Sequence, residues 1–487
     1  MSRLGGPRNR ADEKDQDSRT TKKSDDANGD DDGARQGLRR GSGRVVADLL
    51  PPPGSFRPNE VLAINLSAAG LAKARQLNFT VGDTVVLPAL GLKVTPLETP
   101  SFNAVAARTF LADALPKEEF NFNRIYVAGR LAPAGTDAAP KSGVPGPMPS
   151  PGRPGLGCGP DRCFAPSVIN WQPQLAACAR GIRIGVIDTG IDKTHPAFAG
   201  VSFEHKDFAP RNGRKPSSQH GTGVFSLLAG NPKSSTPGLV HEATFFVGDA
   251  FFADGSGNPV SDTMTMLRAL DWLKSARVDV ANLSFAGPED GLVHEGIRAL
   301  ARAGTAILAA AGNEGPDAPK SYPAGYSEVI AVTAVDRKLS PYLYANRGSH
   351  IDVAAPGVDV WTAMPNRREG PQTGTSFAVP FVTSVVALSY RADERTSQVD
   401  PLEPKQRALA LLQGSIKPLG GRGRSPVFGA GLVQAPANCE PRGSTAAVAS
   451  ARHPETNSWA GTVRAVPAAA IQPQAGPWVG TIQRHQQ

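Results

Sequence analysis

The sequence predicts an α/β chain: a doubly wound, mostly parallel sheet with helices on both faces, preceded by a smaller α/β domain. Three observations carry this expectation. Between residues 165 and 437, near-continuous apolar strand runs alternate with amphipathic helical runs at the spacing of βαβ units, the pattern of a parallel sheet covered on both faces. A second, shorter alternation of strand and helix precedes it from residue 59 to 128. Pro/Gly-rich stretches separate the two blocks from each other and from the termini.

Taken in order, residues 1–56 ("DDANGDDDGARQGLRRGSGR", then "PPPGS") are too polar and Gly-rich to offset the entropy of ordering, so this segment is expected to be disordered. Residues 57–130 read as strand ("NEVLAINL"), helix ("SAAGLAKARQLN"), strands ("TVVLPALGLKVTPLE"), helix ("FNAVAARTFLADALP") and strand ("NRIYVAGR"). Residues 131–157 form a Pro/Gly linker. The main domain, 158–440, brings strands "GIRIGVID", "EATFFVGDAF", "VDVANLSF", "TAILAAAG" and "EVIAVTAV", with helices starting at "HGTGVFSLLAG", "SDTMTMLRALDWLKSA", "GLVHEGIRALARAG" and "TSFAVPFVTSVVALSY". The Ala/Pro/Gly-rich tail, 441–487, is expected to be weakly ordered.

The chain has 487 residues, 40% of them hydrophobic, with 52 Gly, 44 Pro and a net charge of +8. Its basic residues are scattered rather than gathered into a stripe, which argues against a nucleic-acid partner. Its longest apolar run, "VTSVVALSY", is about half the roughly 18 residues a spanning helix needs, so no transmembrane segment is expected. The N-terminus lacks the apolar core of a signal peptide. Four cysteines point the other way, towards an oxidising compartment. They allow three pairings and the sequence selects none; Cys158 with Cys163 and Cys178 with Cys439 is the expected arrangement, and four reduced thiols is the alternative.

Sites in doubly wound sheets gather at the carboxyl ends of strands. Asp188 directly follows the strand "IRIGVI", while His220 and Ser376 open helical runs. A serine hydroxyl is a poor nucleophile unless an imidazole takes its proton and a carboxylate fixes the imidazole's tautomer. Singly, each motif reads as an ordinary turn or helix cap. Jointly they make a nucleophile, a base and an orienting group. A serine at a helix start also faces backbone N–H groups without intrahelical partners, and Pro380 is tolerable if it falls in that first turn.

In "VIDTGID", "HGTGV" and "GTSFAVP" the sequence resembles the subtilisin-like serine peptidases, in that family's order of Asp, His and Ser. The resemblance implies a serine endopeptidase with Ser376 as nucleophile, His220 as general base and acid, and Asp188 as orienting carboxylate. Asn313, in "AAAGNEG", would join the Ser376 N–H in an oxyanion hole. Gly255, Ser256 and Gly257 on one side, and Ser284, Phe285, Ala286 and Gly287 on the other, would be the edge strands that grip a peptide. Ser321, where many members have glycine, would narrow the primary pocket, with medium-sized apolar or aromatic side chains expected there.

The block 57–130 resembles the family's inhibitory propeptide, which implies a self-processing zymogen cut within the linker. The expected partners are thus a peptide substrate and the chain's own N-terminal domain, in a monomer. No cofactor is required. The acidic loops leave room for calcium, as in many members, but no contiguous calcium loop is present and no metal ligand is assigned. Export is the expected localisation, with the cytoplasm as alternative. His195 and Asp192 are rivals to His220 and Asp188, but neither has the helix-opening or strand-end context. Two other readings are a catalytically silent peptide-binding module and an acid peptidase with a carboxylate base; an intact Asp188, His220, Asn313 and Ser376 argues against both.

Overall fold

The computed structural model describes residues 55–99, 103–128, 159, 162–210, 213–390, 403–421 and 423–439. The expectations for residues 1–54, the linker and the C-terminal tail lie outside them.

In the N-terminal domain, strands Phe56–Ile64, Leu92–Glu98 and Glu119–Val127 pair antiparallel, with Phe56–Ile64 in the middle. Helices Ala68–Gln76 and Ala104–Ala114 start at Ser67 and Asn103, whose side chains accept from the N–H groups of Gly70 and Ala106. Such caps satisfy amides that the first helical turn leaves open. Period-two alternation divides the sheet. Val61, Ala63 and Phe122 face the domain's own helices, while Leu62, Ile64 and Val94 face Met264, Leu267 and Leu292 of the main domain. The sheet is therefore buried on both sides, and its second cover is the main domain.

Among the described residues the main sheet has nine strands. Their order is Ile416–Lys417, Leu432–Val433, Ile351–Pro356, Val329–Val335, Ala306–Ala310, Val280–Leu283, Arg183–Asp188, Thr244–Asp249 and Phe203–Asp207. All neighbouring pairs are parallel except the first. Ile184, Val186, Val280, Leu308 and Val332 pack with Val224, Phe225 and Val382 from helices Gln219–Ala229 and Thr375–Ser389. The intervening residues Ile187, Ala281, Leu283, Ile307 and Ala331 face Met266, Leu270 and Ile297 from helices Thr263–Ser275 and Gly291–Arg302. This is the doubly wound arrangement expected from the near-continuous apolar strands. The chain leaves Arg183–Asp188 for one side of the sheet and later returns on the other, so a crevice opens at the carboxyl end of that strand.

Pro380 departs from the expectation. It lies inside helix Thr375–Ser389, beyond the first turn, where proline removes the bond to the carbonyl four residues earlier. That carbonyl belongs to Ser376. Ser284 Oγ donates to it at 3.0 Å, Asn282 Nδ2 donates to Ser284 Oγ at 2.8 Å, and Thr383 Oγ1 donates back to Asn282 Oδ1 at 3.1 Å. A buried side-chain bridge from the neighbouring strand thus replaces the missing helical bond.

The expected Cys178–Cys439 disulfide is present and joins residues 261 apart in sequence, tying the segment before the first main-domain strand to the last described residues. Cys163 is also disulfide-bonded; Cys158, its expected partner, lies outside the described residues.

Both contacts predict a loss of stability when they are removed. Cys439→Ser should lower stability by about 2–4 kcal/mol, seen as a lower calorimetric Tm. Ser284→Ala should cost about 1–3 kcal/mol by leaving the Ser376 carbonyl unpaired. Its cost should shrink when combined with Pro380→Ala, which regains an N–H for the same carbonyl. Equal costs in both backgrounds, measured by urea denaturation, would refute the bridge.

Candidate active site

Asp188 ends its strand with no exposed surface. One carboxylate oxygen accepts from the Thr189 N–H at 2.7 Å and from His220 Nδ1 at 2.6 Å. Because an ionised carboxylate only accepts, the imidazole proton lies on Nδ1 and the Nε2 lone pair is left open. His220 Nε2 is buried and has no hydrogen-bond partner among the described residues.

His220 sits in the first turn of helix Gln219–Ala229, which must come very close to the strand end. A Cβ on Gly221 would stand 2.4 Å from the Thr189 carbonyl oxygen, so only glycine allows the approach. The hydroxyls beside the motifs then lock the two loops. Thr189 Oγ1 accepts from Gly221 N at 2.9 Å, and Thr222 Oγ1 accepts from Asp192 N at 2.8 Å. The sequence motifs contain these threonines, but nothing in their spacing alone assigned them this work.

Helix Thr375–Ser389 delivers Ser376 from the same face of the sheet. Phe377, the next residue, packs against the His220 ring with centroids 5.3 Å apart. Asn313 follows strand Ala306–Ala310 and is anchored by its carbonyl: Oδ1 accepts from Thr375 N at 2.9 Å and from Thr375 Oγ1 at 3.0 Å. With Oδ1 so held, Nδ2 points to the helix start, where a Cβ on Gly374 would meet it at 3.3 Å. The four residues predicted from sequence therefore come together at one end of the sheet, with an open base nitrogen and an oriented amide donor beside a helix N-terminus. Such a set can move a proton from a hydroxyl and stabilise negative charge forming on a substrate oxygen.

The edge strands are arranged differently from the expectation. Asp254 Oδ1 accepts from Ser256 N and Asn258 N, both at 2.8 Å, and Gly257 takes a φ of +88°. Gly255, Ser256 and Gly257 thus form a turn tip, and the edge strand is Pro259–Asp262 instead. Opposite it, Ala286 is the residue of the Ser284–Gly287 segment that offers its backbone. Phe285 is buried, the Ser284 side chain serves the Ser376 carbonyl, and Gly287 bonds Tyr322 N.

Between these edges lies the end of the N-terminal domain's last strand. Val127 pairs with Val260 on one side. On the other it donates to the Ala286 carbonyl at 3.2 Å and accepts from the Ala286 N–H at 3.5 Å. Arg57 adds an ion pair to Asp262 at 2.7 Å, and the Arg124 N–H donates to Thr263 Oγ1 at 2.7 Å. The ion pair is a single contact between partly exposed Arg57 and buried Asp262, whereas each of several fully buried aliphatic side chains contributes roughly 1.5–3 kcal/mol. Leu62, Val94 and Leu267, all without exposed surface, therefore dominate the docking.

Ser321 Oγ donates to Glu314 Oε2 at 3.2 Å and meets Asn346 Nδ2 at 3.1 Å, a network beside Asn313. The rival residues are structural. His195 caps Pro196–Phe198 through Nδ1, and its Nε2 meets the Arg368 carbonyl at 3.0 Å. Asp192 binds Thr194 and the Asn366 N–H. His205 and His294 pair with Asp249 and Glu328, His241 meets the Gly238 carbonyl, and burial depresses the basicity of His350. Among the described residues, no three or more His, Cys, Asp or Glu side chains are gathered as metal ligands, and no helix is long and apolar enough to cross a membrane.

Known proteins share this architecture and sequence. The minor extracellular protease Epr of Bacillus subtilis (strain 168) is 28% identical over 266 residues, 54% of this chain; the chain spans only 39% of Epr's length. The major intracellular serine protease of the same organism is 31% identical over 232 residues, 45% of this chain and 71% of that protein. The crystal structure of fervidolysin from Fervidobacterium pennivorans, described as a keratinolytic enzyme related to subtilisin, superposes with a TM-score of 0.61 at 20% identity. It covers 78% of this chain and 61% of its own, and so bears on the fold. The relatives include both extracellular and intracellular proteins. A family model described as the subtilase family matches residues 179–431, a span that contains Asp188, His220, Asn313 and Ser376. The chain belongs to the subtilase family.

Proposed function

We propose that this protein is a serine endopeptidase made as a self-processing zymogen. The observation that carries the reading is the buried Asp188–His220 bond, which leaves Nε2 open beside the helix that bears Ser376. Ser376 Oγ attacks the scissile carbonyl while His220 Nε2 takes its proton. Asp188 holds Nδ1–H and stabilises the imidazolium. The carbonyl oxygen, now negative, is met by Asn313 Nδ2–H and the Ser376 N–H. His220 then returns the proton to the leaving amine, and a water molecule repeats the cycle to release the acyl group from Ser376.

The docked strand supports the zymogen part. In an antiparallel pairing of Val127 with Ala286, each further residue of one strand meets one earlier residue of the other. Two residues before Ala286 stands Ser284, whose hydroxyl donates to the Ser376 backbone carbonyl at 3.0 Å. By this count the bond we propose for self-cleavage is Gly129–Arg130; both residues lie outside the described ones. Ser321, bonded to Glu314 and Asn346, supports the reading of a narrowed primary pocket. Export is the localisation we favour, because disulfides persist in oxidising compartments.

Intact mass and N-terminal sequencing test the reading. Wild type should release a fragment ending at Gly129, and Ser376→Ala should stay full length. If both stay full length and wild type also resists a fluorophosphonate probe, the silent peptide-binding module is the better reading. Asn313→Ala should lower kcat about 10²–10³-fold with little change in KM, a magnitude carried over from subtilisin.

A further inference from the structure

Three carboxylates stand in a row at the carboxyl ends of adjacent parallel strands. Asp188, Asp249 and Asp207 are register partners across Arg183–Asp188, Thr244–Asp249 and Phe203–Asp207, so their side chains leave the same face of the sheet. Like charges opposite one another in neighbouring strands repel, so each needs a cation or donor of its own. His220 serves Asp188, and Lys215 pairs with Asp207. The middle one, Asp249, is met by His205, whose Nε2 stands 2.9 Å from Oδ2.

This middle pair is nearly enclosed. The His205 side chain is 17% exposed and that of Asp249 10%, and Asp249 Oδ1 has no hydrogen-bond partner among the described residues. Burial, the largest influence, lifts the Asp249 carboxyl above the usual carboxylate range; Asp207 adds to the rise, while His205 and Lys215 oppose it. The pair also reaches the loops that carry the candidate triad. A Cβ on Gly190, two residues after Asp188, would stand 3.1 Å from Asp249 Oδ2 and 4.0 Å from the Cβ of Ser218, the N-cap of the helix that bears His220. One residue after Asp249, the Ala250 N–H donates to the Asp188 carbonyl at 3.0 Å. Other charged groups of the surrounding segments are engaged elsewhere: Arg214 donates to the Asp254 carbonyl, Lys206 lies over the Phe208 ring, and Asp192 binds Thr194 and the Asn366 N–H.

We propose that His205 and Asp249 are a positioning pair that sets the acid limit of His220: a cation on His205 cancels the Asp249 charge, so that His220 answers to Asp188 alone. The proposal rests on the peptidase reading, in which His220 must be unprotonated to take the Ser376 proton. A bare Asp249 carboxylate would stabilise the His220 imidazolium and keep the base protonated to higher pH; a bare His205 cation would do the reverse. Charge rather than shape is the operative quantity, so removing one partner or the other moves the limit in opposite directions.

The test follows the second-order rate of Ser376 labelling by a fluorophosphonate against pH in processed enzyme. His205→Gln should move the acid limb up by about half a pH unit, Asp249→Asn should move it down by about as much, and the double variant should return it to the wild-type position. His205→Lys, which keeps a cation beside Asp249, should leave the limb in place. If His205→Gln fails to fold, the downward shift in Asp249→Asn decides. Limbs that do not move, that move in the same direction, or that stay displaced in the double variant or in His205→Lys overturn the proposal; a purely structural pair would lower the rate at every pH and leave the limb where it was. If wild type is labelled at no pH, the peptidase reading fails. Full-length Ser376→Ala then carries the test by NMR titration of the His220 ring, which should shift up in His205→Gln and down in Asp249→Asn; an unmoved titration overturns the proposal.

Discussion

A carboxylate with no exposed surface, Asp188, is the constraint on which the rest of this structure depends. An unpaired charge buried at a strand end would be prohibitively costly, so donors must meet it at short range, and both of those described above reach Oδ1. The Thr189 N–H comes with the strand itself, whereas the His220 Nδ1–H must be brought by another element. That requirement puts a helix start against the strand end, demands glycine at 221 and calls on the hydroxyls of Thr189 and Thr222 to hold the contact. Functionally, the same bond determines which imidazole nitrogen stays open. Stability and chemistry are thus set by one interaction.

The Ser376 helix meets a different constraint. An N-terminus that presents free N–H groups must be rigid, yet Pro380 removes a bond one turn in. The Asn282–Ser284–Thr383 bridge makes good that loss and ties the helix to the strand that leads to Ala286, the partner of Val127. Ser376 and the segment that pairs with Val127 are therefore parts of one hydrogen-bonded unit, and a shift in either is felt by both.

Docking of the N-terminal domain follows from the geometry of an incomplete sheet. Its second face would expose Leu62, Ile64 and Val94 were it not laid on the helices Thr263–Ser275 and Gly291–Arg302. Once it is laid there, the end of its last strand has only one course, between Pro259–Asp262 and Ala286. The apolar face supplies the affinity, and the pairing of Val127 with Val260 and Ala286 supplies the direction of the strand.

Local sequence determined a good deal by itself. Apolar strand runs and helical periodicity specify the parallel sheet because burial on both faces requires them, and the residues around Asp188, His220, Asn313 and Ser376 stand at strand ends and helix starts that local sequence defines. What escaped was every feature that depends on two distant segments meeting. Gly255–Gly257 had the composition of an edge, but Asp254 gathers that segment into a turn and passes the edge to Pro259–Asp262. Ser284 had the look of a substrate contact, but it answers a proline 96 positions along the chain. Asp290 reads as an ordinary helix cap, and only the fold brings Thr263 Oγ1 to its second oxygen at 2.6 Å. Periodicity and caps are short-range properties, legible one segment at a time; hydrogen-bond satisfaction in a buried site is a property of several segments at once, and the folded structure alone decides it.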